Sequence, residues 1–234
     1  MAKLRIHFFQ HVPFEGIGCI DFWAQAKGHV LSSTKFYQND VYPNVDNIDW
    51  LIVMGGPMSA NDIGQYQWLV EEKKFIDAAI KKNKVVIGIC LGSQIIAQVL
   101  GAKVFKNEKK ELGWFPVTLT EAAKNHPVFE SFPEPFIPFH YHNDTFELPK
   151  HATLLMSSEA CTNQAFVYGK RTFAFQFHTE ITSNGLTEMI ENTNEEIIAD
   201  DFIQDKKTIF DNTSHISVNH NIMRNMLNKI QELT

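Results

Sequence analysis

The sequence predicts an α/β fold built on a doubly wound sheet. Two observations carry that reading. Apolar runs of strand length alternate with amphipathic stretches of helix length through the first hundred residues, the pattern of βα units. The runs at 50–54 and 85–89 are apolar at nearly every position, as strands buried on both faces of a parallel sheet are. With 234 residues, 44% of them hydrophobic, the chain can bury one sizeable core. No internal repeat and no Pro/Gly/Ser-rich linker interrupts it, so residues 1–234 are read as one domain with a helical C-terminal segment from about residue 183.

Leu4, Ile6 and Phe8 alternate and predict a first strand. Residues 14–27 carry Ile17, Ile20, Trp23 and Ala24 at helical spacing and stop before Gly28. A short strand is expected over 29–31, and Trp50–Met54 is a fully buried strand that breaks at Gly55-Gly56-Pro57. Residues 65–82 form the clearest amphipathic helix, with Leu69, Glu72, Phe75, Ile76, Ala79 and Ile80 on one side. Val85–Ile89 is a strand and Gln94–Leu100 a helix ended by Gly101. Strands are expected over 114–119, 136–141, 152–156, 165–168 and 172–177, with Gly169-Lys170 as a hairpin turn. The remainder is polar and helical, with Ile222, Met226, Leu227 and Ile230 as an apolar stripe and 200–214 unassigned.

Composition narrows the functional classes. Lys and Arg total 21 against 27 Asp and Glu, a net charge of −6, and the basic residues are scattered. No stripe is available to neutralise a phosphate backbone, so nucleic acid is not an expected partner. No apolar run reaches the ~18–20 residues of a membrane helix, and the start lacks a secretory h-region. A cytoplasmic protein without membrane contact is expected. Cys19, Cys90 and Cys161 cannot close a disulfide framework, and no CxxC pair is present. Cys19 falls in a helical apolar pattern and reads as core; Cys161 falls in a polar turn and reads as exposed.

Chemistry concentrates at Gly88-Ile89-Cys90-Leu91-Gly92. A strand leads in and a helix leads out, the cysteine version of a G-x-S-x-G nucleophile elbow. The helix N-terminus favours thiolate, and the Leu91 amide can donate to an oxyanion. Against this stands the reading of a buried cysteine packed as a small hydrophobe. His178 and Glu180 are two residues apart, so in a strand they project to one side, where the carboxylate can orient the imidazole. Alone, such a pair is most simply a surface contact.

Together, the elbow, the later His-x-Glu and the Gly-Gly-Pro loop resemble the class I glutamine amidotransferases. The matching segments are VMGGPMSAND (53–62), KVVIGICLGSQIIAQVLGAKV (84–104), GWFPVTL (113–119) and FQFHTEIT (175–182). They look closest to the branch similar to the glutaminase domain of GMP synthase. The resemblance implies a flavodoxin-like, mostly parallel sheet flanked by helices, with a smaller antiparallel sheet. It implies Cys90 as nucleophile, His178 as base and acid, Glu180 as orienter, and Gly55, Gly56 and Leu91 as oxyanion donors. It also implies substrate contacts from Gln94 and from Tyr141, His142, Asn143 and Asp144. Thr179 stands where the family usually has Pro, and Asn143 where Gly is common.

The chemistry implied is release of ammonia from glutamine through a cysteinyl γ-glutamyl thioester, for a separate synthetase as acceptor and without any cofactor. The same residues suit a stand-alone hydrolase of γ-glutamyl peptides or amides. A non-enzymatic or redox-sensing flavodoxin-like protein would not need the late His-x-Glu. His140, His142 and Asp144 alternate as metal ligands can, but three ligands so close need a fourth group and supporting partners. Pocket or structural duty is the reading, and no metal is expected. Residues 106–111 read as a solvated charged face.

Overall fold

A computed structural model of the chain describes residues 2–130, 132–193 and 196–233. The elements run β1 (Arg5–Gln10), α1 (Cys19–Ala26), β2 (Val30–Lys35), β3 (Trp50–Val53), α2 (Trp68–Lys81), β4 (Val85–Ile89) and α3 (Leu91–Val99). They continue with β5 (Val104–Trp114), β6 (Thr118–Leu119), α4 (Glu121–Lys124), β7 (Phe139–Phe146), β8 (Ala152–Ser157), β9 (Ala165–Tyr168) and β10 (Thr172–Phe175). The chain closes with α5 (Ser183–Glu191), α6 (Lys206–Asp211) and α7 (His215–Leu233). Among the described residues the main sheet has the order β2-β1-β3-β4-β10-β9-β8-β6, and β5 pairs with β7 in a second, two-stranded antiparallel sheet. Strands β2, β1, β3, β4 and β10 are mutually parallel, and β9, β8 and β6 add antiparallel pairs. This is the α/β architecture that the sequence predicts.

Alternation along the central strands explains the two helical layers. Trp50 and Ile52 of β3 and Ile87 and Ile89 of β4 join one core with Ile20 and Trp23 of α1 and Ile222, Met226, Leu227 and Ile230 of α7. Leu51, Val53 and Val86 face the opposite side, with Leu69 and Ile76 of α2 and Ile95 and Ile96 of α3. Each fully buried aliphatic side chain contributes ~1.5–3 kcal/mol, so the apolar runs fix the sheet between its helices. Among the described residues no helix is long and apolar enough to cross a membrane.

Several boundaries differ from the sequence reading, each for a local reason. The helix expected from residue 14 begins only at Cys19, because Gly18 has φ 59° and turns the chain. Residues 11–18 are instead a loop. The strand expected over 29–31 extends to Lys35, since backbone pairing with β1 carries its Ser and Thr residues along. The stretch 114–119 divides into the end of β5 and the short β6 around Pro116, which has no amide hydrogen. The strand expected from 136 begins at Phe139. Residues 106–111 lie within β5. Lys106, Glu108 and Lys109 are exposed, but Glu111 is fully buried. Cys161 is buried, not exposed; its sulfur lies 3.2 Å from the Thr145 hydroxyl.

Candidate active site

The carboxyl ends of the parallel strands meet in a cleft. Strand β4 delivers Cys90 there and α3 begins at the next residue, so the thiol sits at a helix N-terminus of the main sheet. Cys90 has φ 50° and ψ −110°, a conformation that costs of order 1–3 kcal/mol and persists only where packing dictates it. The flanking glycines let the turn close. A Cβ on Gly92 would lie 2.0 Å from the Val53 carbonyl oxygen, and one on Gly88 would lie 2.7 Å from the Gly92 backbone.

His178 and Glu180 reach the cleft by a route other than the expected one. Strand β10 ends at Phe175, so neither residue belongs to it. His178 is held by a two-way backbone bridge with Phe139: its amide donates at 2.8 Å and its carbonyl accepts at 3.2 Å. Its Nδ1 lies 2.7 Å from the Glu180 carboxylate. A carboxylate only accepts, so the ring proton is on Nδ1 and Nε2 is left without a hydrogen-bond partner. Burial opposes charge on His178, but the carboxylate of Glu180 and the neighbouring Cys90 sulfur outweigh it and hold the imidazole well above its ordinary range. The thiol of Cys90 donates to the Tyr141 carbonyl at 3.5 Å, and the Gln176 amide donates to its sulfur at 3.8 Å.

Around this centre lies a cleft of about 390 Å³, within the usual range of small-molecule sites. Gly56, Gln94, Tyr141, His142, Asn143 and Asp144 line it together with Cys90 and His178. Gln94 donates to the Asp144 carbonyl and to Gln176, both at 3.2 Å, and Asp144 accepts from Ser59 at 2.7 Å. Tyr141 donates its hydroxyl to Thr193 at 2.8 Å. Asn143 lies in β7, opposite the register break between Lys106 and Glu111 of β5, and is not among the positive-φ residues, so its backbone does not require glycine. Gly55 stands beside Cys90 and His178. A Cβ there would come within 3.2 Å of the His178 ring, 3.5 Å of the Cys90 Cβ and 2.3 Å of the Glu15 carboxylate.

Four buried or cleft residues escape sequence reasoning: His11, Glu15, Glu72 and Glu111. Glu15 lines the cleft from the loop after β1, and burial together with Glu180 pushes its carboxyl up against the opposing pull of His178 and His11. Glu72 sits on the apolar stripe of α2, and a carboxylate at such a place is a legible signal that a buried partner awaits it. That partner is His11, at 2.9 Å. Glu111, His140 and His142 form the group with metal-ligand spacing among the described residues, their donor atoms all within 4.8 Å of one another. Glu111 nevertheless accepts from Ser158 at 2.8 Å and Gln164 at 2.6 Å, and His142 Nε2 lies 2.9 Å from its second oxygen. The Ser158 and Gln164 donors occupy one lone pair on each carboxylate oxygen, while His142 Nε2 and His140 Nδ1 have no hydrogen-bond partner. Burial would raise Glu111, yet His142, His140 and Ser158 hold it down at about 2.

A strand-borne cysteine at a helix start, an imidazole paired with a carboxylate, and a diglycine loop beside both form an arrangement that cysteine-dependent acyl transfer could use. The family model for class-I glutamine amidotransferases matches residues 24–197, and the chain belongs to that family. It is 37% identical over 83% of its length to the glutamine amidotransferase-like protein YfeJ of Salmonella typhimurium, covering 83% of that protein. It is 31% identical to the glutamine-hydrolyzing GMP synthase subunit of Thermoplasma acidophilum, over 68% of this chain and 79% of that one. It is 30% identical to gamma-glutamyl peptidase 3 of Arabidopsis thaliana, over 63% and 61% respectively. A crystal structure of a glutamine amidotransferase from Thermotoga maritima superposes with a TM-score of 0.89 at 28% identity, covering 98% of this chain and 99% of that one.

Proposed function

We propose that the chain hydrolyses the side-chain amide of glutamine and releases ammonia through a γ-glutamyl thioester on Cys90. The observation that carries this reading is the 2.7 Å pairing of His178 Nδ1 with Glu180, with Cys90 near enough to the ring to help raise its basicity. His178 takes the thiol proton as sulfur attacks the amide carbon. The C=O electrons move to oxygen, and amides of the Gly55–Gly56 loop and of Leu91 receive that oxyanion. The oxyanion collapses, the C–N bond breaks, and the nitrogen leaves with the proton from His178. Water, deprotonated by His178, then cleaves the thioester and regenerates the thiol. Gln94, Tyr141, His142, Asn143 and Asp144 form the wall that would hold the amino-acid end of the substrate. The likeness to a GMP synthase subunit supports a separate synthetase as ammonia acceptor.

A second reading keeps the site and changes the leaving group to the amine of a γ-glutamyl peptide. The cleft favours it by extending to Lys110, Asn192 and Thr193, beyond what an ammonia leaving group needs. The likeness to a gamma-glutamyl peptidase points the same way. The test is a panel of glutamine and γ-glutamyl dipeptides with purified chain and with Cys90→Ser. Thiol-dependent ammonia release from glutamine supports the first reading, and dipeptide cleavage alone supports the second. No cleavage of either, with Cys90 unlabelled by a glutamine-derived electrophile, would falsify both.

A further inference from the structure

The Gly55–Gly56 loop is held from behind by a buried pair to which the reaction above assigns no role. His11 is the first residue past β1, and β1 lies beside β3, whose extension carries Met54 and the loop. The Met54 amide donates to the Phe9 carbonyl at 3.1 Å, continuing the pairing, and His11 falls opposite Gly55. His11 Nδ1 lies 2.9 Å from the Gly55 carbonyl oxygen, and Nε2 lies 2.9 Å from Glu72. Both partners only accept, so both ring nitrogens donate. The His11 and Glu72 side chains are each 0% exposed. Phe36 and Trp68 stack on the ring, each with centroids 5.3 Å away, which fixes its plane. Among the described residues Glu72 makes no other ion pair, and its second oxygen has no hydrogen-bond partner. Removing one member of such a pair leaves the other as an uncompensated buried charge.

A trans peptide is planar, with its C=O and N–H on opposite sides. Tying the Gly55 oxygen to His11 therefore turns the Gly56 N–H away from His11. Gly56 lines the cleft with Cys90, and a Cβ built on it would meet Met58 Sδ at 2.6 Å and the His11 and Leu91 side chains at 3.1 Å. We infer that His11, backed by Glu72, is a positioning residue that locks the Gly55–Gly56 peptide with the Gly56 N–H presented to the cleft as an oxyanion donor. The inference rests on the proposed function for its kinetic consequence but not for its structural one. His11 touches neither substrate nor thiol; it acts through one peptide plane.

Two substitutions separate the ring's two contacts. His11→Asn keeps an amide nitrogen near the place of Nδ1, and so keeps the bond to Gly55. His11→Gln reaches Glu72 from the place of Nε2 and loses Gly55. Outright loss of an oxyanion donor costs ~10²–10³ in kcat, so a turned peptide in His11→Gln should cost about 10–100-fold in kcat with KM little changed. His11→Asn should recover most of that. Alkylation of Cys90 by iodoacetamide forms no oxyanion, so its rate should be the same in all three proteins. Crystal structures of the three should show the peptide turned in His11→Gln alone. Equal kcat in both variants and wild type, or an unturned peptide in His11→Gln, overturns the inference. Should wild type cleave no γ-glutamyl amide, the proposed function fails while the peptide's orientation still decides this one. If a His11 variant does not fold, Glu72→Met, close in volume and without an acceptor for Nε2, tests the backing: kcat should fall and the His11–Gly55 bond loosen in its crystal structure, and an unchanged kcat with that bond intact overturns the inference.

Discussion

The amide of Cys19 donates a 2.8 Å hydrogen bond to the backbone carbonyl of Glu180. The start of α1 is thereby fastened to the residue whose carboxylate orients His178, far away along the chain. The junction is tight: a Cβ on Gly18 would lie 2.1 Å from the same carbonyl oxygen, and Gly18 has φ 59°. Gly18→Ala is expected to shift Glu180 and lower kcat/KM by about 10-fold or more, since small misplacements of an oriented group cost up to ~10². Steady-state kinetics on the amide that wild type cleaves checks this, with urea unfolding as the control for global damage.

On the proposed mechanism, Cys90, His178 and Glu180 should behave as one unit. Cys90→Ala and His178→Ala are each expected to remove roughly 10⁴ or more of kcat, Glu180→Gln somewhat less, and the Cys90–His178 double variant no more than either alone. Additive losses in single-turnover assays would show that the residues act separately.

Gly92 is required by space rather than by backbone dihedral. With a Cβ 2.0 Å from the Val53 oxygen, Gly92→Ala must part α3 from β3 and should cost about 1–3 kcal/mol or more. Gly64 has nothing within 4 Å and no positive φ, so Gly64→Ala should stay within about 0.5 kcal/mol. Paired urea titrations measure both.

These residues also show what a sequence displays and what it withholds. Val85–Ile89 and the Cys90 elbow are legible because every relevant neighbour is within a few positions. His178 and Glu180 are legible as a pair, although a loop and a bridge to Phe139 place them, not a strand. His11 and Glu15 carry no periodicity; their roles exist only because β1 lies next to β3 and returns the following loop to the cleft. Glu111 ends a charged run whose earlier members are solvated. Only the register of β5 on β7, which sets Glu111 opposite His142, takes it out of water.

Acid should weaken the fold before the carboxylates titrate. Burial lowers His7 and His140 from 6.5 to about 4, so both stay neutral in the native protein while the unfolded chain takes up protons. The unfolded state then binds more protons between about pH 6.5 and 4, and stability falls as pH falls through that window. His7 is bonded to Ser32 at 2.8 Å and Thr34 at 3.0 Å. Urea midpoints measured from pH 7 to 4 should fall, and His7→Gln should flatten the fall.

Glu15 opposes stability where it serves the cleft. Its carboxyl is raised in the fold, so the native protein resists ionising it, and the cost is present above the ordinary value of 4.5. Glu15→Gln removes that cost and should raise the melting temperature at pH 7 to 8 but not at pH 4, while altering kcat/KM through its place beside His178. An unchanged melting temperature at pH 8 would place the carboxylate in water.

The three sulfurs divide the chain into what a reagent can reach folded and what it can reach only unfolded. Cys19 is buried and pushed up to about 12, Cys161 is buried and raised, and Cys90 alone opens onto the cleft. Mass spectrometry after a brief pulse of a thiol label should therefore count one adduct on native molecules and three on denatured ones. The relative abundance of the two species reads the unfolded fraction directly, with no engineered tag and no optical probe.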